Sequence, residues 1–143
     1  MDPFVRRFIR SSLVWLGVGV LIGVAMAVHP AFVAFRPAHM HANLLGFVSM
    51  MIFGVAYHVI PRFTGRPLHA PRAAALHLWL ANAGLAGMVA GFILRVYCWK
   101  LGMPVLGVGA VLSATGAMLF IHNIWRTLDA PVPRAGALPT VAR

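Results

Sequence analysis

The 143 residues contain no glutamate, one lysine and one cysteine, and charged side chains of every kind make up only 10% of the chain. A soluble domain carries roughly a quarter charged residues. With 61% hydrophobic residues in place of that charge, a soluble globular domain is excluded and the chain reads as a membrane protein. A lone Cys98 cannot form an internal disulfide and has no Cys-x-x-Cys partner, so it reads as a core or lipid-facing residue. The only acids, Asp2 and Asp129, fall outside the long apolar runs, which leaves no carboxylate within the membrane to relay protons.

What is present is apolar sequence punctuated by arginine. Four runs carry no acid, lysine or arginine: Ser11 to Phe35, Pro37 to Pro61, Ala73 to Leu94 and Leu101 to Trp125, each of 22 to 25 residues. At about 1.5 Å per residue each can cross a hydrocarbon layer roughly 30 Å thick. Lipid satisfies no backbone carbonyl, and barrel strands would be shorter and alternating, so the runs predict helices. The reading is an all-α, four-helix transmembrane bundle in a single domain, residues 1–128, with helices near 11–30, 38–61, 73–97 and 103–127. Pro30 and Pro37 bracket the first expected loop, and Pro61, Pro67 and Pro71 the second. Residues 129–143, rich in proline and alanine, are expected to form a disordered cytoplasmic tail. Small residues four apart, Gly19 with Gly23 and Ala83 with Gly87 and Gly91, read as sites of close helix approach.

Basic residues set the expected orientation. Arg6, Arg7, Arg10, Arg62, Arg66, Arg72, Arg126, Arg134 and Arg143 lie on one side, against Arg36, Arg95 and Lys100 on the other, so both termini are expected in the cytoplasm. The formal net charge of +10 then serves topology and lipid headgroups. No basic stripe with interleaved aromatics lies outside the spans, so no nucleic-acid partner is expected. A signal peptide ending at Ala25-Met26-Ala27 is disfavoured, because the apolar run continues past it to His29 and Pro30.

Seven histidines are many for such a chain. The expected topology places His29, His39 and His41 near the outer face, and His58, His69, His77 and His122 near the inner one. Neutral imidazole ligates haem iron, zinc or copper, whereas a histidine at a helix end also serves as a half-wet interfacial residue. Two residues apart on a helix is about 200° of rotation, so His39 and His41 project from nearly opposite faces and cannot chelate one ion together. If both are ligands, they serve two sites.

The stretch AHMHANLLGFVSMMIFGVAYHVIPRFTGRPL (residues 38–68) resembles the tenth helix of subunit I in the haem-copper oxidase and nitric oxide reductase superfamily. The resemblance implies that the first histidine of the pair faces a high-spin haem and the second a low-spin haem. LHLWLANAGLAGMVAGFIL is similar to the eleventh helix, and GAMLFIHNIWRTL to the end of the twelfth, with the Asn-x-Trp-Arg-Thr ending of the C-type oxidases. FRPAHMHANLLG also resembles the start of the second helix there, where Arg-Pro-x-His supplies the other axial ligand; His39 takes that place and Arg36 the arginine before it. The chain therefore looks like one four-helix arc of a twelve-helix, pseudo-threefold subunit I, carrying features of two arcs.

Departures narrow what the resemblance implies. The oxidases' copper site needs three further histidines from other helices, and no second helix here offers a paired His-His; the reductases' iron has a glutamate nearby, and the chain contains none, so oxygen reduction with proton pumping is not expected. The reading is a non-covalent b-type haem protein, since no Cys-x-x-Cys-His occurs. The cofactor-binding candidates are His39, His41, Arg36 and Asn43. The metal candidates are His39 and His41, with His29, His58 and His122 behind them, and copper is a further candidate cofactor. Electron transfer or binding of a diatomic gas such as nitric oxide is the expected role. The alternative is a copper or zinc protein for trafficking or oxidase assembly using His29, His39 and His41. The resemblance further implies a bacterial inner membrane. A homo-oligomer is expected, a trimer ahead of a dimer, with His39 of one subunit and His41 of its neighbour on the same iron.

Overall fold

A computed structural model of the chain describes residues 2–131, and these form four helices with no strand among them. All four are long and apolar enough to cross a membrane: α1 (Pro3–Val28), α2 (Pro30–Thr64), α3 (Pro71–Tyr97) and α4 (Trp99–Asp129). The all-α, four-helix transmembrane class expected from the sequence is the one observed. Residues 132–143, which hold most of the expected tail, lie outside the described residues.

The helices run further than the uncharged segments that announce them. Helix α1 starts at Pro3 instead of near residue 11, because proline at the first helical position gives up only an N–H that would have no partner there. Arg6, Arg7 and Arg10 therefore ride on its first turns, where long stems carry the guanidinium groups toward water. The expected loop between Pro30 and Pro37 is helical. Pro30–Phe35 is a tight 3-10 segment, and Pro37 sits in the first turn of the α segment Arg36–His41, where its fixed φ fits. Only His29 separates α1 from α2, and only Cys98 separates α3 from α4.

Helix α2 changes pitch along its length. After Arg36–His41 it widens into a π-helical stretch, Ala42–Ser49, before resuming as α-helix over Met50–Thr64. The Ser49 hydroxyl donates to Leu44 O at 2.9 Å across this widened turn. The helix stops at Gly65, whose φ of 65° is the left-handed cap that glycine adopts without strain.

Packing follows small residues. A side chain on Gly84 would place its Cβ 2.5 Å from Ser113 N, so only glycine lets α3 and α4 pack backbone to backbone there. Helices α1 and α2 pair antiparallel, with Gly54 on Phe8, Gly46 on Trp15, Asn43 on Gly19 and His39 on Gly23. The densest core lies toward the Gly65–Ala70 loop, where Phe8, Phe53, Tyr57 and Phe120 enclose His77. That loop is latched to α4: Asn123 Oδ1 accepts from Ala70 N and its Nδ2 donates to Ala70 O, both at 2.9 Å. Thr127 Oγ1 accepts from His69 N at 3.0 Å.

Candidate functional site

His39 and His41 leave α2 in different directions, and each spends the same ring nitrogen. His39 Nδ1 lies 2.8 Å from Gly19 O on α1, and His41 Nδ1 lies 2.8 Å from Pro37 O one turn back on its own helix. A carbonyl oxygen can only accept, so both Nδ1 atoms carry the proton and both Nε2 atoms keep a lone pair. Anchoring one imidazole nitrogen to a carbonyl fixes the tautomer and ring orientation that a metal-ligating histidine requires.

The His39 ring has room because α1 offers glycine. A Cβ on Gly23 would sit 2.9 Å from His39 Cε1, and one on Gly19 would sit 2.5 Å from Asn43 Nδ2. Asn43 Nδ2 donates to His39 O at 2.9 Å. Its 3.4 Å approach to His39 Nδ1 is not a further hydrogen bond, because with Nδ1 protonated both groups are donors. Gly19 and Gly23 are thus part of the site, whereas sequence reasoning assigned them to helix packing alone. The signal was available: the spacing of four between the glycines matches the spacing of four between His39 and Asn43, as an antiparallel pair demands.

On the other side of α2 the His41 ring packs against Phe92 of α3, centroids 4.6 Å apart, and Arg95 Cζ lies 4.9 Å from the centre of the same Phe92 ring. Arg95 was missed as a site residue. It joins exposed Arg36 at this end of the bundle, where two guanidinium groups can receive an anionic group in bidentate hydrogen bonds.

The remaining histidines are placed apart. His29 is exposed, and its Nδ1 accepts from Ala31 N at 3.2 Å. Its neutral ring therefore carries the proton on Nε2, the opposite tautomer, and it caps the 3-10 turn. His58 and His122 are not brought together: His58 Nδ1 is buried without a partner, and His122 faces His69 with centroids 6.0 Å apart. Fully buried His77 pairs its Nδ1 with the Tyr57 hydroxyl at 3.1 Å, while its Nε2 has no partner. Among the described residues no group of three His, Cys, Asp or Glu side chains is placed to hold a metal ion. His39 and His41 thus present two separate imidazole rings on opposite sides of one helix, each anchored through Nδ1.

The profile of the family described as Cytochrome C and Quinol oxidase polypeptide I matches residues 4–137. The chain is similar to Cbb3-type cytochrome c oxidase subunit CcoN1 of Stutzerimonas stutzeri, 26% identical over 162 aligned residues, covering 92% of this chain and 34% of that protein. It is also similar to cytochrome c oxidase subunit 1 of Rhodobacter capsulatus, 26% identical over 157 residues, covering 89% and 29%. A cytochrome c oxidase subunit 1 homolog of Azorhizobium caulinodans is 22% identical over 158 residues, with 89% and 28% covered. The chain thus spans about a third of the length of the curated relatives it matches.

Proposed function

Because this chain belongs to the cytochrome c and quinol oxidase polypeptide I family, we propose that it is a multi-pass bacterial membrane cytochrome that holds haem b non-covalently through His39 and His41 for electron transfer. The observation that carries this reading is the shared tautomer: two Nδ1–H groups given to carbonyls and two Nε2 lone pairs left for iron. Haem held by His39 and His41 would supply a one-electron redox centre. The chain's own work is to hold each ring in place, through Gly19 O for His39 and Pro37 O for His41. Arg36 and Arg95 stand at the same end to receive the propionates. The family also implies copper, but no three-ligand group among the described residues fits it.

Divergent ligands call for more than one chain. With His39 and His41 on opposite sides of α2, a haem held by both would draw His39 from one subunit and His41 from the next, a head-to-tail contact that closes into a ring. Three chains are the fewest that close a head-to-tail ring, since a twofold contact is isologous. Both termini then lie in the cytoplasm and the haems near the outer face of the bacterial inner membrane, in keeping with the distribution of arginine. A second reading, binding of a diatomic gas such as nitric oxide, draws on the same divergence, since within a single chain only one of the two histidines would hold a given haem. Trafficking of copper or zinc has less support, because His29 presents the opposite tautomer.

An absorption spectrum of the purified full chain loaded with haem tests the proposal. Bis-histidine bands lost in both His39→Ala and His41→Ala are expected. Haem content and spectrum unchanged in either variant would overturn that ligand assignment.

A further inference from the structure

At the opposite end of the bundle, α1 and α3 part. Arg7, Arg10, Ser11 and Val14 occupy one face of α1, and with Leu78, Trp79 and Asn82 of α3 they wall a cavity of about 540 Å³. A second cavity of about 260 Å³, lined by Pro3, Arg6, Arg7 and Arg10, shares two of those arginines. A cationic mouth therefore leads into an apolar recess. The Asn82 amide is satisfied within the recess: its Oδ1 accepts from Trp15 Nε1 at 3.2 Å and its Nδ2 donates to Leu78 O at 2.8 Å. That leaves the guanidinium groups, the Ser11 hydroxyl and the Trp79 indole N–H as the polar groups free to meet a ligand.

Charge decides what ligand fits. Twelve basic residues face two acids in the whole chain; Asp2 precedes α1 and Asp129 ends α4 at this same end, but neither lines the two cavities. The mouth thus keeps a net positive charge that the chain does not neutralise. From Arg7 to Val14 the face descends roughly 10 Å along the helix axis, from headgroup level into the hydrocarbon. A ligand that matches carries an anion at one end and an alkyl chain at the other.

We propose that this groove binds an anionic phospholipid, its phosphodiester held by Arg7 and Arg10 and one acyl chain lying along Val14, Leu78 and Trp79. Guanidinium groups take phosphate oxygens in bidentate hydrogen bonds, and basic pockets between transmembrane helices on the cytoplasmic side select such headgroups. A zwitterionic lipid would bring its own cation into the field of three arginines, so net negative charge is selected. The volume lies within the usual range for ligand clefts, enough for the glycerol region and the first part of a chain.

Native mass spectrometry of the full chain in non-ionic detergent tests this, with phosphatidylglycerol, phosphatidylcholine and inorganic phosphate as probes. Phosphatidylglycerol is expected to be retained about tenfold better than phosphatidylcholine. The double variant Arg7→Gln/Arg10→Gln should lose that preference, while Arg126→Gln, outside the groove, should keep it. Val14→Trp fills the recess with the arginines intact and should lower lipid retention, and it decides the matter if the double variant fails to insert. Equal retention of the two lipids, an unchanged preference in the double variant, undiminished binding in Val14→Trp, or displacement of the lipid by inorganic phosphate alone would each overturn the proposal.

Discussion

Gly23 and Gly17 both sit on α1, yet the His39 ring makes them unequal. A methyl group on Gly23 meets Cε1 of that ring, whereas one on Gly17 meets nothing within 4 Å. Gly23→Ala should push the ring away from Gly19 O, and losing one hydrogen bond of about 1 kcal/mol weakens haem retention about fivefold. Gly17→Ala should leave it unchanged; haem titration of the two variants side by side checks the pair. Arg36→Leu should loosen haem or shift its potential, and a titration showing neither would assign Arg36 to lipid headgroups. The divergence of His39 and His41 was legible in the sequence because a spacing of two fixes opposite directions on any helix. The glycines' part in the site was not, since it depends on which helix lies opposite and in what register. Nor was the tautomer of His29, which follows from the 3-10 turn after it and from no periodicity.

Among the elements, the α3–α4 hairpin leaves least room. Gly84→Val should destabilise it by about 1–3 kcal/mol, the usual cost of overpacking, and more if the backbones must part; reversible unfolding in mixed micelles measures this. Asn123→Ala removes both hydrogen bonds to Ala70 and leaves its N–H unpaired, while its carbonyl keeps the bond from Ala74 N, at a cost of about 1–3 kcal/mol. The Gly65–Ala70 loop should then become accessible to protease. The four spans were legible because charge is so scarce that arginine marks their limits. Their ends were not: arginine stems tolerate a helical first turn, and Pro30 and Pro37 fall where a helix accepts proline, so neither residue type marks a true stop.

For the whole molecule, the ring proposal predicts a detergent-solubilised mass of three chains with one haem per chain. A monomer with a bis-histidine spectrum would defeat the shared-ligand arrangement. Orientation has its own handle in Cys98, the sole cysteine, exposed between α3 and α4 at the His29 end. A membrane-impermeant maleimide should label it in intact spheroplasts; labelling only after lysis would reverse the topology. The widened turn Ala42–Ser49 bears on how this chain tolerates change in length. A π-helical stretch accommodates an extra residue locally, so the helix on either side keeps its rotational phase. Deleting Leu44 or Leu45, both exposed, should therefore relax the stretch to an ordinary α-helix, with His39 still on Gly23 and Gly54 still on Phe8. Deleting Ile52 instead should turn one half of α2 about 100° against the other and break one of those contacts. The chain thus holds a spare residue between its histidine pair and its aromatic core, an interval where a codon could be lost without a change of frame in space.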